Sequence, residues 1–499
     1  MRNVFTVLLF WIAFLPIICA QDEKPPHEQQ DSVLTVTLQE AIDIARQQSP
    51  DVLYARHNFR SSYWTYCYYK ANYLPSLTFT STPNFNHSIN AITLPDGTAQ
   101  YVRQNQLRVD ANLSISQNIA LTGGSMFMQT NLQRLDELTG KAFSYKSTPV
   151  TVGYQQSLFG HNSLKWDKKI EPIRFESAKR IYAETMELVS QRATDRFFRL
   201  ARAQTNLEIA QTNYANADTL YVFAQGRYNI GTITENEMLQ LEINKLNEES
   251  NRLNAQLEVD NSVQDLRSYL GVKDALPITV VIENNVPLGS IDADEALQYA
   301  LQNSSDILDL QRQKLESESS VANAKASTGL SANLYMLFGL TQTGHDLETV
   351  YRDPLNQQYV EVGFRLPILD WGRGKGQVQL AKSRRDIVYV QAEQARNDFE
   401  MNITRLVKQF NLQSNQLHVA IKADYTAERR NEVARKLYLL GKSTILDLNA
   451  SITEKDTAKR NYITTLNNYW SLYYSLRSIT LYDFEKNIPI TEDYQLLIK

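Results

Sequence analysis

No Gly and no Pro occurs between Gln377 and Leu440, and none occurs between Ile173 and Gln225. Nothing in either stretch breaks a helix. At 1.5 Å per residue, a helix of about 64 residues is roughly 100 Å long, several times the usual few turns. The first long stretch runs from about Asn162 to Arg227 and stops at Gly231. Its twin runs from about Gly376 to Leu440 and stops at Gly441. Apolar or small residues recur at alternating spacings of three and four in Leu200, Ala203, Leu207, Ala210, Tyr214, Ala217 and Tyr221. That is a heptad seam, which belongs to helices packed side by side along their length. A compact globular domain has no room for such a helix, so the chain spans a distance.

Around these two helices the pattern repeats. Leu38 to Tyr73 reads as helix with a break at Ser49-Pro50, and Pro75 ends it. Val109, Ala111, Leu113 and Ile115 alternate with Asp110, Asn112, Ser114 and Ser116, the period of a strand with one apolar face. Pro95-Asp96-Gly97-Thr98 and Thr122-Gly123-Gly124 read as turns. Ser125 to Leu132 and the Val150, Val152, Tyr154 alternation suggest further strands. After Gly231, Thr232 to Leu270 reads as helix, with Leu239, Leu246 and Leu253 seven residues apart. Pro277 to Ile282 reads as a short extended piece.

The second half follows the same order. Asp292 to Ala326 is helical in pattern. Leu334, Met336, Phe338 and Leu340 alternate, as do Val360, Val362, Phe364 and Leu366. Leu366-Pro367-Ile368-Leu369-Asp370-Trp371-Gly372 is expected to close that hairpin. Thr444 to about Thr480 is the last long helical run. Ala41, Ser49, Asp51 and Lys70 stand where Ala296, Ser304, Asp306 and Lys325 stand in the second half. Tyr228, Gly231 and Thr234 likewise match Tyr438, Gly441 and Thr444. This is an internal duplication, with about 45 additional residues between Leu77 and Val150 of the first half. Two strands are expected in the second half and two or four in the first. Two shorter helices stacked end to end match one long helix. Four to six strands cannot close a water-filled barrel alone, so several chains in a symmetric ring must share one.

The expected segments are a signal peptide over 1–20, a flexible leader over 21–36, a first repeat over 37–270, an equatorial connector over 271–290, a second repeat over 291–480 and a tail over 481–499. The apolar run from Val4 to Ile18, followed by Cys19-Ala20, reads as a secretory signal cleaved after Ala20. Lipidation at Cys19 is the rival, and bulky Ile18 counts against it. Cys67 is then the only cysteine left, so the mature chain has no internal disulfide. No later run of about 18 apolar residues suggests a membrane helix. The formal net charge of −4, with signs mixed along the helices, does not suggest nucleic acid.

Catalytic and cofactor patterns are not found. The six histidines do not cluster, so no metal site is read. Gly441-Lys442-Ser443-Thr444 ends like a phosphate loop, but Lys436 stands where the earlier glycine is required. Gly372, Gly374 and Gly376 do not have dinucleotide-binding spacing. The aromatic clusters at Tyr63–Tyr73 and Tyr469–Tyr474 are expected near the helix–strand junction, chiefly as packing.

The layout resembles the TolC-like outer-membrane efflux family over about Leu38 to Thr480. The resemblance rests on Tyr73-Leu74-Pro75-Ser76-Leu77, Ser157-Leu158-Phe159-Gly160, Leu366 to Gly372, and the paired Tyr-x-x-Gly-x-x-Thr turns at 228–234 and 438–444. It implies a mainly α fold with a β-barrel contribution. Long antiparallel coiled-coil helices would form a periplasmic α-barrel, and each chain would give 4–6 strands to a barrel shared by a homotrimer in outer-membrane lipid. The implied partners are a periplasmic membrane-fusion (adaptor) protein and an inner-membrane pump. The implied role is a passive conduit in efflux or type I secretion, with no cofactor and no enzymatic activity. A non-conducting coiled-coil spacer or adhesin is the alternative. The polar strand faces favour the conduit, since a spacer needs no polar lumen.

The resemblance also implies roles at the tip. Gly231, Thr234, Gly441 and Thr444 would form the end that meets the adaptor. Asp447 would form a pore-constricting carboxylate ring. Its plain alternative is a helix-start Asp favoured by the helix dipole. Tyr438 and Glu237 would form a gate latch. This chain departs from the family at Ala450, where a second acid is usual, and at Ser443, where the latch arginine is usual. Lys442 beside it lacks the bidentate fork of arginine. A looser gate and a weaker charge ring follow.

Overall fold

The computed structural model describes residues 34–272, 278–282, 289–440, 442–443 and 445–498. The expected signal peptide, most of the leader, Gly441 and Thr444 lie outside them, as do the side chains at 438, 439, 445 and 446. A short strand β1 (Leu34–Val36) opens the described chain, where the leader was expected to continue. Helices α1 (Leu38–Gln48) and α2 (Pro50–Ala71) follow. Ser49 ends the first and caps the second, its Oγ accepting from the Val52 N–H at 3.3 Å, with Pro50 in the first turn where its missing N–H costs nothing.

Four strands come next: β2 (Ser76–Thr93), β3 (Ala99–Ile119), β4 (Gly124–Glu137) and β5 (Ala142–Leu158). This resolves the open strand count of the first half as four. Helix α3 (Ser163–Asn229) is 67 residues long and is followed by α4 (Glu235–Leu270) of 36. Then come β6 (Ile278–Val280), α5 (Ala293–Asn303), α6 (Ser305–Thr328), β7 (Ser331–Gly344) and β8 (Leu355–Arg365). Helix α7 (Arg373–Leu439) is again 67 residues and α8 (Ile445–Thr480) again 36. Two short strands, β9 (Tyr482–Asp483) and β10 (Ile488–Pro489), and a final helix α9 (Tyr494–Ile498) complete the chain.

Both long helices extend further than the Gly- and Pro-free stretches. Pro172 and Gly226 lie inside α3, and Gly374 and Gly376 lie inside α7. In helices this long, neighbouring turns and lateral packing outweigh one poor residue. The second hairpin is closed by residues 345–354, not by Leu366–Gly372. That segment instead starts α7: the Asp370 carboxylate accepts from the N–H of Gly372 at 2.9 Å and of Gly374 at 2.8 Å.

The short helices stack as the lengths required. The end of α4 meets the end of α1, where a Cβ on Gly271 would come 2.9 Å from the Gln48 carbonyl oxygen. Gly271 takes φ +70° there, so glycine is needed for both its φ and its size. α3 runs past both partners, with Arg192 paired to Asp51 at 2.6 Å and Arg199 to Asp265 at 2.9 Å. The α5–α6 break sits against the same helix. Glu184 accepts from the Ser305 N–H at 2.7 Å and from its hydroxyl at 2.6 Å.

Strands β2-β3-β4-β5-β7-β8 form one antiparallel six-stranded sheet in that order. Separately, β1 and β6 pair in parallel at Leu34↔Ile278 to Val36↔Val280. The six-stranded sheet joins the helices through polar side chains. Gln117 donates to the Tyr73 carbonyl at 2.7 Å, Asn162 to the Ala120 carbonyl at 2.9 Å, and the Tyr73 hydroxyl to the Leu164 carbonyl at 2.8 Å.

The main core lies at the height where the short helices meet. Phe197, Leu200, Leu266, Leu270, Ile403, Phe410 and Tyr469 are fully buried there. The Tyr469–Tyr474 cluster belongs to this core. It sits near Glu187, about 36 Å along α3 from the strands, and not at the junction expected from sequence. Only the Tyr63–Tyr73 cluster approaches the junction, and its Trp64 and Tyr68 are exposed.

Through this core runs a charge network that no motif announced. Glu187 is completely buried, bonded to Arg46 at 2.8 Å and Arg477 at 2.7 Å. Arg477 also binds Asp483 at 2.6 Å, and Arg46 binds Glu492 at 2.6 Å. Burial opposes ionisation of Arg477, but the charge and hydrogen bonds of Glu187 overcome it and raise its pKa. Burial likewise pushes the Asp483 carboxyl up, and the Arg477 charge with backbone N–H donors outweighs it, leaving a lowered pKa. The network ties α1, α3 and α8 to the tail. The tail docks further through Arg60, which donates to the Leu497 carbonyl at 2.6 Å, and through Tyr494, which packs on Phe59.

Replacing Glu187 with Ala should lower stability by about 3–5 kcal/mol, because two arginines lose a buried partner; thermal unfolding of the purified protein reads it. Asp483 titrates below its unfolded value of about 3.9. Its contribution is therefore complete above that pH and is lost as pH falls through the depressed value. Asp483→Asn should melt earlier than the parent at neutral pH, and the gap should close as pH is lowered below about 4.

Candidate functional site

Two regions carry the functional expectations: the turn where long helix meets short helix, and the sheet. At the first turn α3 ends in a Schellman motif. The Gly231 N–H donates to the Tyr228 carbonyl at 2.8 Å, and the Thr232 N–H to the Arg227 carbonyl at 2.9 Å. Gly231 has φ +75°, with open space where a Cβ would stand, so glycine is required by conformation alone. The second turn keeps the matching long bond, Lys442 N–H to Leu437 carbonyl at 2.9 Å.

Thr234 caps α4. Its Oγ1 accepts from the Glu237 N–H at 3.3 Å, and Glu237 Oε2 accepts from the Thr234 N–H at 2.8 Å. This is a capping box, and it begins the helix at Glu235, three residues later than the Gly-free run suggests. The hydrogen bonds from Thr234 hold the Glu237 carboxyl below its usual pKa. Within the chain, then, Glu237 works as a helix cap. Asp447 takes the corresponding third position of α8. It is exposed, and its Oδ2 accepts from the Ser443 hydroxyl at 3.4 Å. Tyr438 lies in the last turn of α7. Gly441 and Thr444 fall outside the described residues.

Above the tip the α3 seam is buried in part: Leu200, Ala203, Ala210 and Ala217 are buried, while Leu207, Tyr214 and Tyr221 are half-buried. The seam on α4 is different. Leu239, Leu246 and Leu253 are 43%, 56% and 57% exposed, so the chain itself does not cover them. Polar contacts fix α4 on α3 beside it, with Lys245 bound to Asp218 at 2.6 Å and Lys245 and Arg252 lying over Tyr221 and Tyr214.

The sheet shows its chemistry row by row. Leu77, Ile115, Met128, Val152 and Phe338 pair directly across five strands, and Val360, Val362 and Phe364 continue that face on β8. On the opposite face Thr78, Ser114, Gln129, Thr151, Gly339 and Gln357 pair directly across all six. The apolar face is uncovered: Leu77 is 67% and Phe364 80% exposed. Arg134, ion-paired with Asp136 at 2.8 Å and set over Phe143 and Tyr145, bounds it at the end far from the helices. Sequence alternation revealed the faces of single strands. Their alignment into rows required the register. Among the described residues no helix is long and apolar enough to cross a membrane, and no cluster of metal-ligating side chains occurs.

Two helices of 67 residues and one amphipathic six-stranded sheet make up the fold. Residues 41–272 match the outer membrane efflux protein family. No curated protein matches the chain. Among solved structures it is similar to the Campylobacter jejuni CmeC outer membrane channel, with a TM-score of 0.64, 17% identity and coverage of 92% of this chain and 88% of that one. It is also similar to the outer membrane protein VceC of Vibrio cholerae, with a TM-score of 0.60, 15% identity and coverage of 89% and 95%. The open state of the Neisseria gonorrhoeae MtrE outer membrane channel gives a TM-score of 0.58 at 14% identity, covering 89% and 88%. At these identities the likeness is one of fold. The resemblance to the outer-membrane efflux family therefore holds twice: through the family match over 41–272, and through fold over nearly the whole chain.

Thr234→Ala should destabilise the start of α4 by about 1 kcal/mol. Gly231→Ala should cost about 1–2 kcal/mol for the left-handed conformation. Hydrogen exchange should quicken at the tip in both variants while the core at Glu187 stays protected.

Proposed function

We propose that the chain is one stave of a homotrimeric outer-membrane export conduit. The observation that carries this reading is the row pattern of the sheet. One face is apolar across five strands and exposed to the outside of the chain, and the other is polar across all six. Such a sheet is stable between lipid and water. Its two edges, β2 and β8, run in opposite directions, so the β8 edge of one copy can take the β2 edge of the next as an antiparallel neighbour. Three copies of a six-stranded sheet make an 18-stranded wall, large enough for an aqueous channel. The uncovered leucine seam on α4 supports a second contact between copies, lower down the helices.

On this reading the chain enters the envelope by its signal peptide, cleaved after Ala20, and its halves arose by duplication. The α-helical part reaches into the periplasm. The tip around Gly231, Thr234, Gly441 and Thr444 meets the adaptor, with an inner-membrane pump behind it. The pump supplies the energy, and the conduit performs no covalent chemistry. Three copies of Asp447 around one axis would favour cations and hold back anions. Tyr438 and Glu237 would latch the closed tip between neighbouring coiled coils. The latch would compete with the capping box for the Glu237 carboxylate. A spacer or adhesin would explain the long helices and leave the polar strand face without a purpose.

Purified protein should have the native mass of a trimer and conduct in a planar bilayer. A monomer without conductance would remove the conduit reading. Asp447→Asn should reduce cation preference and weaken block by multivalent cations. If selectivity and block are unchanged, Asp447 serves only the start of α8.

A further inference from the structure

The polar face of the sheet is interrupted at one level. Directly beneath the all-polar row, on the helix side, the next row reads Ser76, Ser116, Phe127, Gly153, Leu337 and Tyr359. One row further, Tyr335 stands opposite Glu361. Aromatic rings thus run diagonally across the wall. The Phe127 and Tyr335 centroids are 6.1 Å apart, and those of Tyr335 and Tyr359 are 6.0 Å apart. The Tyr359 hydroxyl donates to Glu361 Oε2 at 2.5 Å and holds the carboxylate beside the rings.

Among the described residues no α-helix packs along this row; Tyr359 is 49% exposed, and Phe127, Tyr335 and Leu337 are half-buried. A partly exposed aromatic cluster on an otherwise polar face points to a binding surface. Phe127 covers Gly153 so closely that a Cβ there would come 2.2 Å from its Cζ. Covering a strand glycine accounts for Phe127 alone. It does not account for Tyr335, Tyr359 or Leu337.

We propose that Phe127, Tyr335, Tyr359 and Glu361 form a binding site for apolar organic cations on the lumen wall, near the helix end of the sheet. This rests on the conduit reading, which makes that face the lumen. The ring faces attract a cation and cover its apolar groups, and Glu361 supplies the charge. Among the described residues Glu361 has no ion-pair partner. Arg365, on the same face of β8, is about 13 Å further along the strand. At the proposed seam between copies, β2 brings Ser76, Thr78 and Thr80 to this face, none of them charged. Three copies would repeat the site around the lumen.

The test is block of single-channel current by tetraphenylphosphonium, with tetramethylammonium as a cation of equal charge lacking the aromatic shell. Tetraphenylphosphonium should block the parent channel at far lower concentration. Tyr359→Ala and Glu361→Gln should each raise its half-blocking concentration about 3- to 10-fold, the range of a cation–ring contact. Thr78→Ala, one row away, should leave it unchanged. The unblocked conductance of each variant shows that it has assembled, and Tyr359→Leu, with the same rise expected, serves as a second test if the alanine variant does not insert. Equal potency of the two cations, or block unchanged in both Tyr359→Ala and Glu361→Gln, would overturn the site while leaving the conduit intact. A parent protein that never conducts would overturn the conduit, and the site with it.

Discussion

The six-stranded sheet cannot satisfy both of its faces with anything in its own chain. Its apolar row needs a solvent of hydrocarbon, and its polar row needs water. Both edges also carry unpaired backbone groups, which are costly wherever water is absent. A helix laid on the sheet would have buried one face, as in ordinary layered folds. Here every long helix leaves from one end of the sheet and covers neither face. The proposed closure with further copies would meet all three demands at once.

The helical part solves a different problem, which is to keep a long slender body in one geometry. Lateral seams of small and apolar residues do most of this. At mid-height the seams alone are not enough, because α1, α2, α4, α5, α6 and α8 each begin or end there and each end leaves backbone groups without partners. The chain answers with capping serines at Ser49 and Ser304, the left-handed Gly271, and the Arg46–Glu187–Arg477 network. A buried ionic network is a weaker source of net stability than apolar packing of equal volume. Its directional bonds fix how α1, α3, α8 and the tail register against one another. That alignment sets where the tip lies relative to the sheet.

Much of this was legible in the residues. The two long helices, the Ser49 break, the Gly231 turn and the strand alternation at 109–116 are local patterns, and local patterns follow from periodicity and backbone preference. What escaped were contacts between distant segments. Glu187 reads as one acid among many on a helix, because Arg46 and Arg477 lie far from it in sequence. The Tyr469–Tyr474 cluster went to the wrong height for the same reason: aromatic density says that packing occurs and not where. Leu366–Gly372 was read as a turn on its Gly and Pro, when Asp370 was in position to start a helix. At the tip, Glu237 proved to be engaged by Thr234, a pairing visible in the spacing of Thr234 and Glu237 alone.

The sequence by itself determined the kinds of element, their lengths and their order, because helix and strand periods and the Gly, Pro and Ser breaks act within a few residues. It also determined that each strand would have one apolar and one polar side. Only the tertiary structure decided that six strands join one sheet and that their faces align into continuous apolar and polar rows. Register and strand order depend on pairing between residues such as Gly153 and Leu337, which no short-range rule relates. The same holds for the burial of Glu187, whose partners come from both halves of the chain.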